Sequence, residues 1–171
     1  MAQRVAHAGR FVMPSGDGIS PVCFDGREDD VARSIVGIHD LVVRIRGFNP
    51  TLSGSQVDEL SGRVMAVVVC SFCTMFGVAP TERFGDIFDQ IAFFAEHLAK
   101  DHVFHDGNKR TTLLVSLAFL ARSGCIVDMP DMDSPEDNEM YRWIQDTVTG
   151  ERTQNDLAED LRRNSVMRSA E

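Results

Sequence analysis

Apolar residues return along this chain at the spacing of helices rather than strands. From Asp29 onward Val31, Ile35, Ile38, Val42 and Ile45 share one face, and Gly47 closes the run. The clearest amphipathic stretch is Asp86 to Lys100, where Ile87, Phe88, Ile91, Phe94, Ala95 and Leu98 form one stripe. A further helix is expected from about Lys109 to Ser123, with Gly124 as its stop. "MYRWIQDTVTG" and "QNDLAEDLRR" read as two short helices near the end. Between the first two helical patterns, "VMAVVVCSFCTMFGVAP" runs uncharged from Val64 to Pro80. It is shorter than the roughly 20 residues a membrane span requires and is diluted by Ser71, Thr74, Gly77 and Pro80, so it reads as a buried core element.

The polar intervals complete the outline. Residues 1–27 carry glycines and prolines without periodicity and read as an irregular arm. "FNPTLSGS" and "GVAPTERFG" are loops by composition. "DMPDMDSPEDNE" holds six acids and two prolines and reads as a solvated acidic loop, without the ligand spacing of an EF-hand. Residues 164–171 read as a frayed tail. The sum is one mostly helical domain over residues 28–163, with any strands confined to residues 47–80.

Composition narrows the function classes. The chain has 171 residues, 43% hydrophobic and 25% charged, with a formal net charge of −9. That is an ordinary globular balance, and with no clustered basic face it argues against nucleic-acid binding. The first 20 residues lack a continuous apolar core, so no secretory signal is read. The four cysteines, Cys23, Cys70, Cys73 and Cys125, are therefore taken as reduced and the protein as cytoplasmic, with no membrane partner.

The chemistry concentrates in "DHVFHDGNKRTT", residues 101–112, directly ahead of the apolar "LLVSLAFLA". A helix start presents free N–H groups and a positive dipole end that favour anions. Gly107 and Asn108 allow the backbone to turn its N–H groups toward one point. Lys109 and Arg110 sit at the end where cations are locally unfavourable, a cost that a bound phosphate would offset. His102 can take a proton near neutral pH, and Asp106 is a hard oxygen ligand suited to Mg²⁺. From residue chemistry alone, a helix-connecting loop with incidental charges remains an open alternative.

"HVFHDGNKR" resembles the signature of the Fic/Doc family, H-x-F-x-[DE]-[AG]-N-[GK]-R. His102, Phe104, Asp106, Gly107, Asn108, Lys109 and Arg110 match its seven fixed positions. "GIHDL" in the first helix and the closing "TGERTQNDLAEDL" look like weaker family features. The resemblance implies an all-α bundle with the active-site loop between two antiparallel core helices. It also implies a small β-hairpin flap for target docking; residues 49–63 are its natural place, although they show no hairpin turn signal.

By the same resemblance, His102 would be the general base on a protein hydroxyl and Asp106 the Mg²⁺ ligand. Gly107, Asn108, Lys109 and Arg110 would bind the phosphates of ATP, and Phe104 would anchor the loop. Lys109 in place of a second glycine, and Leu113 in place of a second arginine, match the Doc branch of the family. Those toxins transfer the terminal phosphate of ATP to elongation factor Tu and are restrained by a separate antitoxin. The alternatives are AMP transfer with the same residues and a catalytically silent nucleotide-binding module.

Other signals carry less. His97 and His105 flank the loop without the ligand set of a zinc site, His97 reading as a structural partner. "CSFC" lacks the βαβ setting of a redox motif and reads as two packed thiols. Thr147 with Glu151, and Ser55 with Glu59, share the spacing of the family's inhibitory helix without the residue that follows it.

Overall fold

The computed structural model describes residues 18–45, 53–101, 103–130 and 134–167. Among them the chain forms α1 (Glu28–Ile45), α2 (Gly54–Phe72), α3 (Pro80–Arg83), α4 (Ile87–Lys100), α5 (Asn108–Arg122), β1 (Cys125–Val127), α6 (Glu139–Thr149), α7 (Gln154–Arg163) and β2 (Ser165–Met167). A 3₁₀ turn, Pro135–Asp137, precedes α6. The fold is the helical bundle that the residue pattern implies, with a minor two-stranded sheet.

Helix α4 is the centre. Asp86 caps it, its Oδ1 accepting from the N–H groups of Phe88 and Asp89 at 2.9 and 3.0 Å. Ile87, Phe88, Ile91, Phe94, Ala95 and Leu98, the stripe read from the spacing, are all fully buried. Helices α2, α5, α6 and α7 pack around α4, and α1 lies across α2 and α5. The seven-residue connection 101–107 sends α5 back along α4, as short links between packed helices do.

The first part of the uncharged run, Val64 to Phe72, belongs to α2, which starts at a reciprocal Ser53–Gln56 capping box. Val64, Val67, Val68 and Phe72 are buried at helical spacing, so tertiary burial outweighs the strand preference of "AVVV". The helix also occupies the described part of the expected flap. From Gly54 to Arg63 the chain is helical rather than a hairpin, and residues 46–52 lie outside the described residues.

Among the described residues the two strands fall outside residues 47–80, where a lone Met75–Val78 bridge is the extended pairing. β1 pairs antiparallel with β2 in the register Cys125↔Met167, Ile126↔Val166 and Val127↔Ser165. Residues 165–167 are therefore paired rather than frayed. Gly124, at φ +83°, turns the chain out of α5 into β1, and Asp128 N–H continues the pairing onto the Asn164 carbonyl at 2.7 Å. Three-residue strands are too short to leave an alternating pattern.

The described part of the N-terminal arm is irregular yet anchored. Gln90, fully buried in α4, accepts from Val22 N–H at 2.8 Å and donates to the carbonyls of Val22 and Ser71 at 2.7 and 3.0 Å. Phe24 joins a ring cluster with Phe72 and Phe119. Among the described residues, no helix is long and apolar enough to cross a membrane.

Candidate active site

The motif loop runs from the end of α4 into the start of α5. His102, the expected general base, lies outside the described residues. Its successors Val103 and Phe104 are 3% and 1% exposed, so the loop is rooted in the core at this point. Phe104 stacks on His39 of α1, with ring centroids 3.8 Å apart and planes within 9°.

Asn108 closes the loop onto its own backbone. Its Oδ1 accepts from Phe104 N–H at 2.9 Å and its Nδ2 donates to the Phe104 carbonyl at 2.6 Å. The side chain expected among the phosphate ligands is thus spent on holding the turn. Gly107 caps α5 in the left-handed region at φ 75°, without a side-chain cap. That backbone favours glycine. The first intrahelical bond is Thr111 N–H to the Gly107 carbonyl at 2.9 Å, so helix geometry leaves the preceding N–H groups without intrahelical acceptors.

Around this helix start stand the charged groups. Asp106 is exposed, and its Oδ1 accepts from Gly107 N–H at 2.6 Å. Lys109 Nζ lies 3.4 Å from Gln145 Oε1 of α6. Arg110, whose side chain is 15% exposed, places Nε and Nη2 each 2.6 Å from Glu136 Oε1. A protein carboxylate therefore offsets the Arg110 charge at the helix start, a role the sequence reading left to a bound phosphate. Taken together, Lys109 and Arg110 balance Asp106 and Glu136.

No group of three His, Cys, Asp or Glu side chains is close enough to hold a metal ion among the described residues. Asp106, exposed beside the start of α5, is a hard oxygen ligand of the kind that could hold Mg²⁺, which needs only one or two protein carboxylates. His97 is engaged structurally, its ring 4.3 Å from Phe93 and its Nδ1 3.7 Å from Asp101 Oδ2. His105 is exposed. Within "CSFC", Cys73 is buried at the end of α2, and burial pushes its thiol up to about 11.

Residues 32–120 match the family model described as Fic/DOC family. The chain is also 31% identical over 130 residues to "Protein kinase doc" of Escherichia phage P1, covering 75% of this chain and 89% of that protein. The chain belongs to the Fic/DOC family.

In this Fic/DOC chain two neighbours of the motif escape a reading of the motif alone. His39 is 8% exposed, and its Nδ1 lies 3.1 Å from Thr111 Oγ1. Burial pushes its pKa down, opposed by the charges of Asp40 and Asp106. The only advance signal was its place in "GIHDL". Glu136 sits outside the matched span, in an acidic loop whose composition suggests nothing but solvent.

Proposed function

We propose that this chain is a Doc-like toxin kinase, transferring the terminal phosphate of ATP to a Ser or Thr hydroxyl of a target protein, with residues 28–163 as the catalytic domain. His102 accepts the hydroxyl proton. The hydroxyl oxygen bonds to the γ-phosphorus as the bond to the bridging oxygen of ADP breaks. Asp106 holds Mg²⁺, which when bound neutralises phosphate charge. The N–H groups at the start of α5, with Lys109 and Arg110, hold the phosphates, and Asn108 keeps the turn that aims them.

The observation that carries the reading is Lys109 in the first turn of α5 beside Arg110. The AMP-transferring enzymes that the motif resembles usually carry glycine at that position. A lysine there fills space and adds a charge against the nucleotide, which favours a reversed pose with the terminal phosphate inward. The 31% identity to a protein named a kinase supports the same choice. A translation factor of the elongation factor Tu type is the target class, in the cytoplasm, with a separate antitoxin as restraint.

A paired labelling reaction tests this. Protein, Mg²⁺ and a bacterial lysate receive ATP labelled at the α or the γ phosphate, with His102→Ala as control. Label from the γ position alone, lost in the control, is the expected result. Label from the α position means AMP transfer and overturns the reading of Lys109.

A further inference from the structure

The motif supplies the groups that act; the structure adds a floor beneath them. His39 projects from α1 under the loop, meeting side chains of the loop and of α5 at two places and lining a third. Its ring stacks on Phe104 at 3.8 Å, and its Nδ1 meets Thr111 Oγ1 in the first turn of α5 at 3.1 Å. Its Cε1 would lie 3.6 Å from a Cβ placed on Gly107, so the ring also lines the inner side of that turn. These contacts fall at both ends of the motif. Phe104 is two residues past His102, and Gly107 directly follows Asp106.

The ring and the two side chains it meets are enclosed by their surroundings. His39, Phe104 and Thr111 are 8%, 1% and 0% exposed, and the Asn108 clamp ties Phe104 to α5. The ring therefore sits inside a closed set of contacts: α1 to Phe104, Phe104 to Asn108, and α5 back to α1. Removing it leaves the clamp in place but takes away the surface that sets the height of Phe104 and Gly107.

We propose that His39 is a positioning residue for the transfer reaction, its ring fixing the Phe104–Gly107 segment that carries Asp106 and that follows His102 in the sequence. It touches neither nucleotide nor target. Its effect falls on the chemical step, which is sensitive to small displacements, rather than on nucleotide capture at the start of α5. The inference rests on the transfer reading for its kinetic consequence and on the contacts alone for its structural one.

Three variants separate the parts of the contact. His39→Phe keeps a stacked ring and loses the hydrogen bond, His39→Asn keeps a polar atom near Thr111 and loses the ring, and His39→Ala loses both. Each is assayed for kcat and for the KM of Mg·ATP on protein shown to be folded by its thermal transition. Hydrogen exchange at Phe104 N–H is followed in parallel. The expected result is kcat reduced by about 100-fold in His39→Ala and about 10-fold or more in His39→Asn. His39→Phe recovers most of the rate, and KM for Mg·ATP stays within roughly threefold throughout. Exchange at Phe104 quickens in the same order. Equal rates for all three folded variants, or a loss confined to KM, overturn the proposal. If the unsubstituted protein transfers nothing, the transfer reading fails, and the exchange order alone decides whether His39 sets the loop.

Discussion

Arg110 and Glu136 form an ion pair in which Nε and Nη2 of the guanidinium both stand 2.6 Å from one carboxylate oxygen. The other oxygen of Glu136 accepts from Ser134 Oγ. The carboxylate thus lies beside the group proposed to meet phosphate, and its charge opposes an incoming anion. Replacing it as Glu136→Gln keeps the shape and removes the charge. ATP affinity is expected to rise about fivefold, near 1 kcal/mol at the effective dielectric of a protein surface. Calorimetric titration checks this. The gain should be larger without Mg²⁺, because the metal already supplies positive charge. Weaker binding instead would mean that Glu136 serves to aim Arg110.

Asn108 tests the loop from the inside. Asn108→Ala leaves the Phe104 N–H and carbonyl without their partner, next to a ring that is 1% exposed. The expected cost is about 1–3 kcal/mol, the range for orphaned buried polar groups. For a chain of this size that lowers the thermal midpoint by several degrees, on the order of 2–4 °C per kcal/mol. Asn108→Asp retains the acceptor and should lose less. An unchanged midpoint in the alanine variant would falsify the clamp.

The bundle was legible because its helices repeat their apolar residues, α4 above all, where the stripe from Ile87 to Leu98 is the buried face itself. Features made by a single residue leave no period to read. Gln90 shows this: one amide fixes the arm by mimicking a neighbouring backbone, and nothing adjacent announces it. The β1–β2 pairing joins residues about 40 apart through three-residue strands, too short for alternation. Within the site, local spacing exposed the motif, whereas Glu136 reaches Arg110 across 26 positions from a segment that composition marks only as acidic. Asn108 was visible as a member of the motif, but its partner is backbone, which sequence does not distinguish from phosphate.

The link between α4 and α7 should be felt in stability rather than in chemistry. Arg162 donates from Nε to Asp86 Oδ2 and from Nη2 to Asp89 Oδ1, both at 2.8 Å. Asp86 is 7% exposed and also caps α4. Arg162→Ala is expected to cost about 1–3 kcal/mol, since it leaves a largely buried carboxylate short of one charged donor. Asp86→Ala should cost more, because the cap contributes a further 1 kcal/mol or so. Urea unfolding of the two single variants and the double measures the coupling directly. Strict additivity would show that the contact contributes nothing.

The thiols should differ in reactivity. Cys73 and Cys125 are buried, and burial pushes each up to about 11, so few thiolates exist near neutral pH. Cys23 is exposed. Iodoacetamide at pH 7.5 is expected to label Cys23 first and to reach Cys73 and Cys125 only after unfolding, as read by peptide mass mapping. Fast native labelling at Cys73 would contradict its packing at the end of α2.

His39 gives the fold a dependence on mild acid. Burial lowers its pKa from the ordinary value of 6.5, with Asp40 and Asp106 pulling weakly the other way. In the unfolded chain the ring takes a proton as pH falls through 6.5, while in the fold it stays neutral to lower pH. Between those two points the unfolded state binds more protons, so stability rises with pH. The contribution of a neutral His39 is therefore complete above 6.5 and is lost as pH falls from there toward the depressed folded value. Urea midpoints measured between pH 8 and pH 5 should decline below about 6.5 in the unsubstituted protein. In His39→Phe, which keeps the ring without the titrating nitrogens, that part of the decline should vanish. The same slope in both proteins would assign the acid sensitivity to groups other than His39.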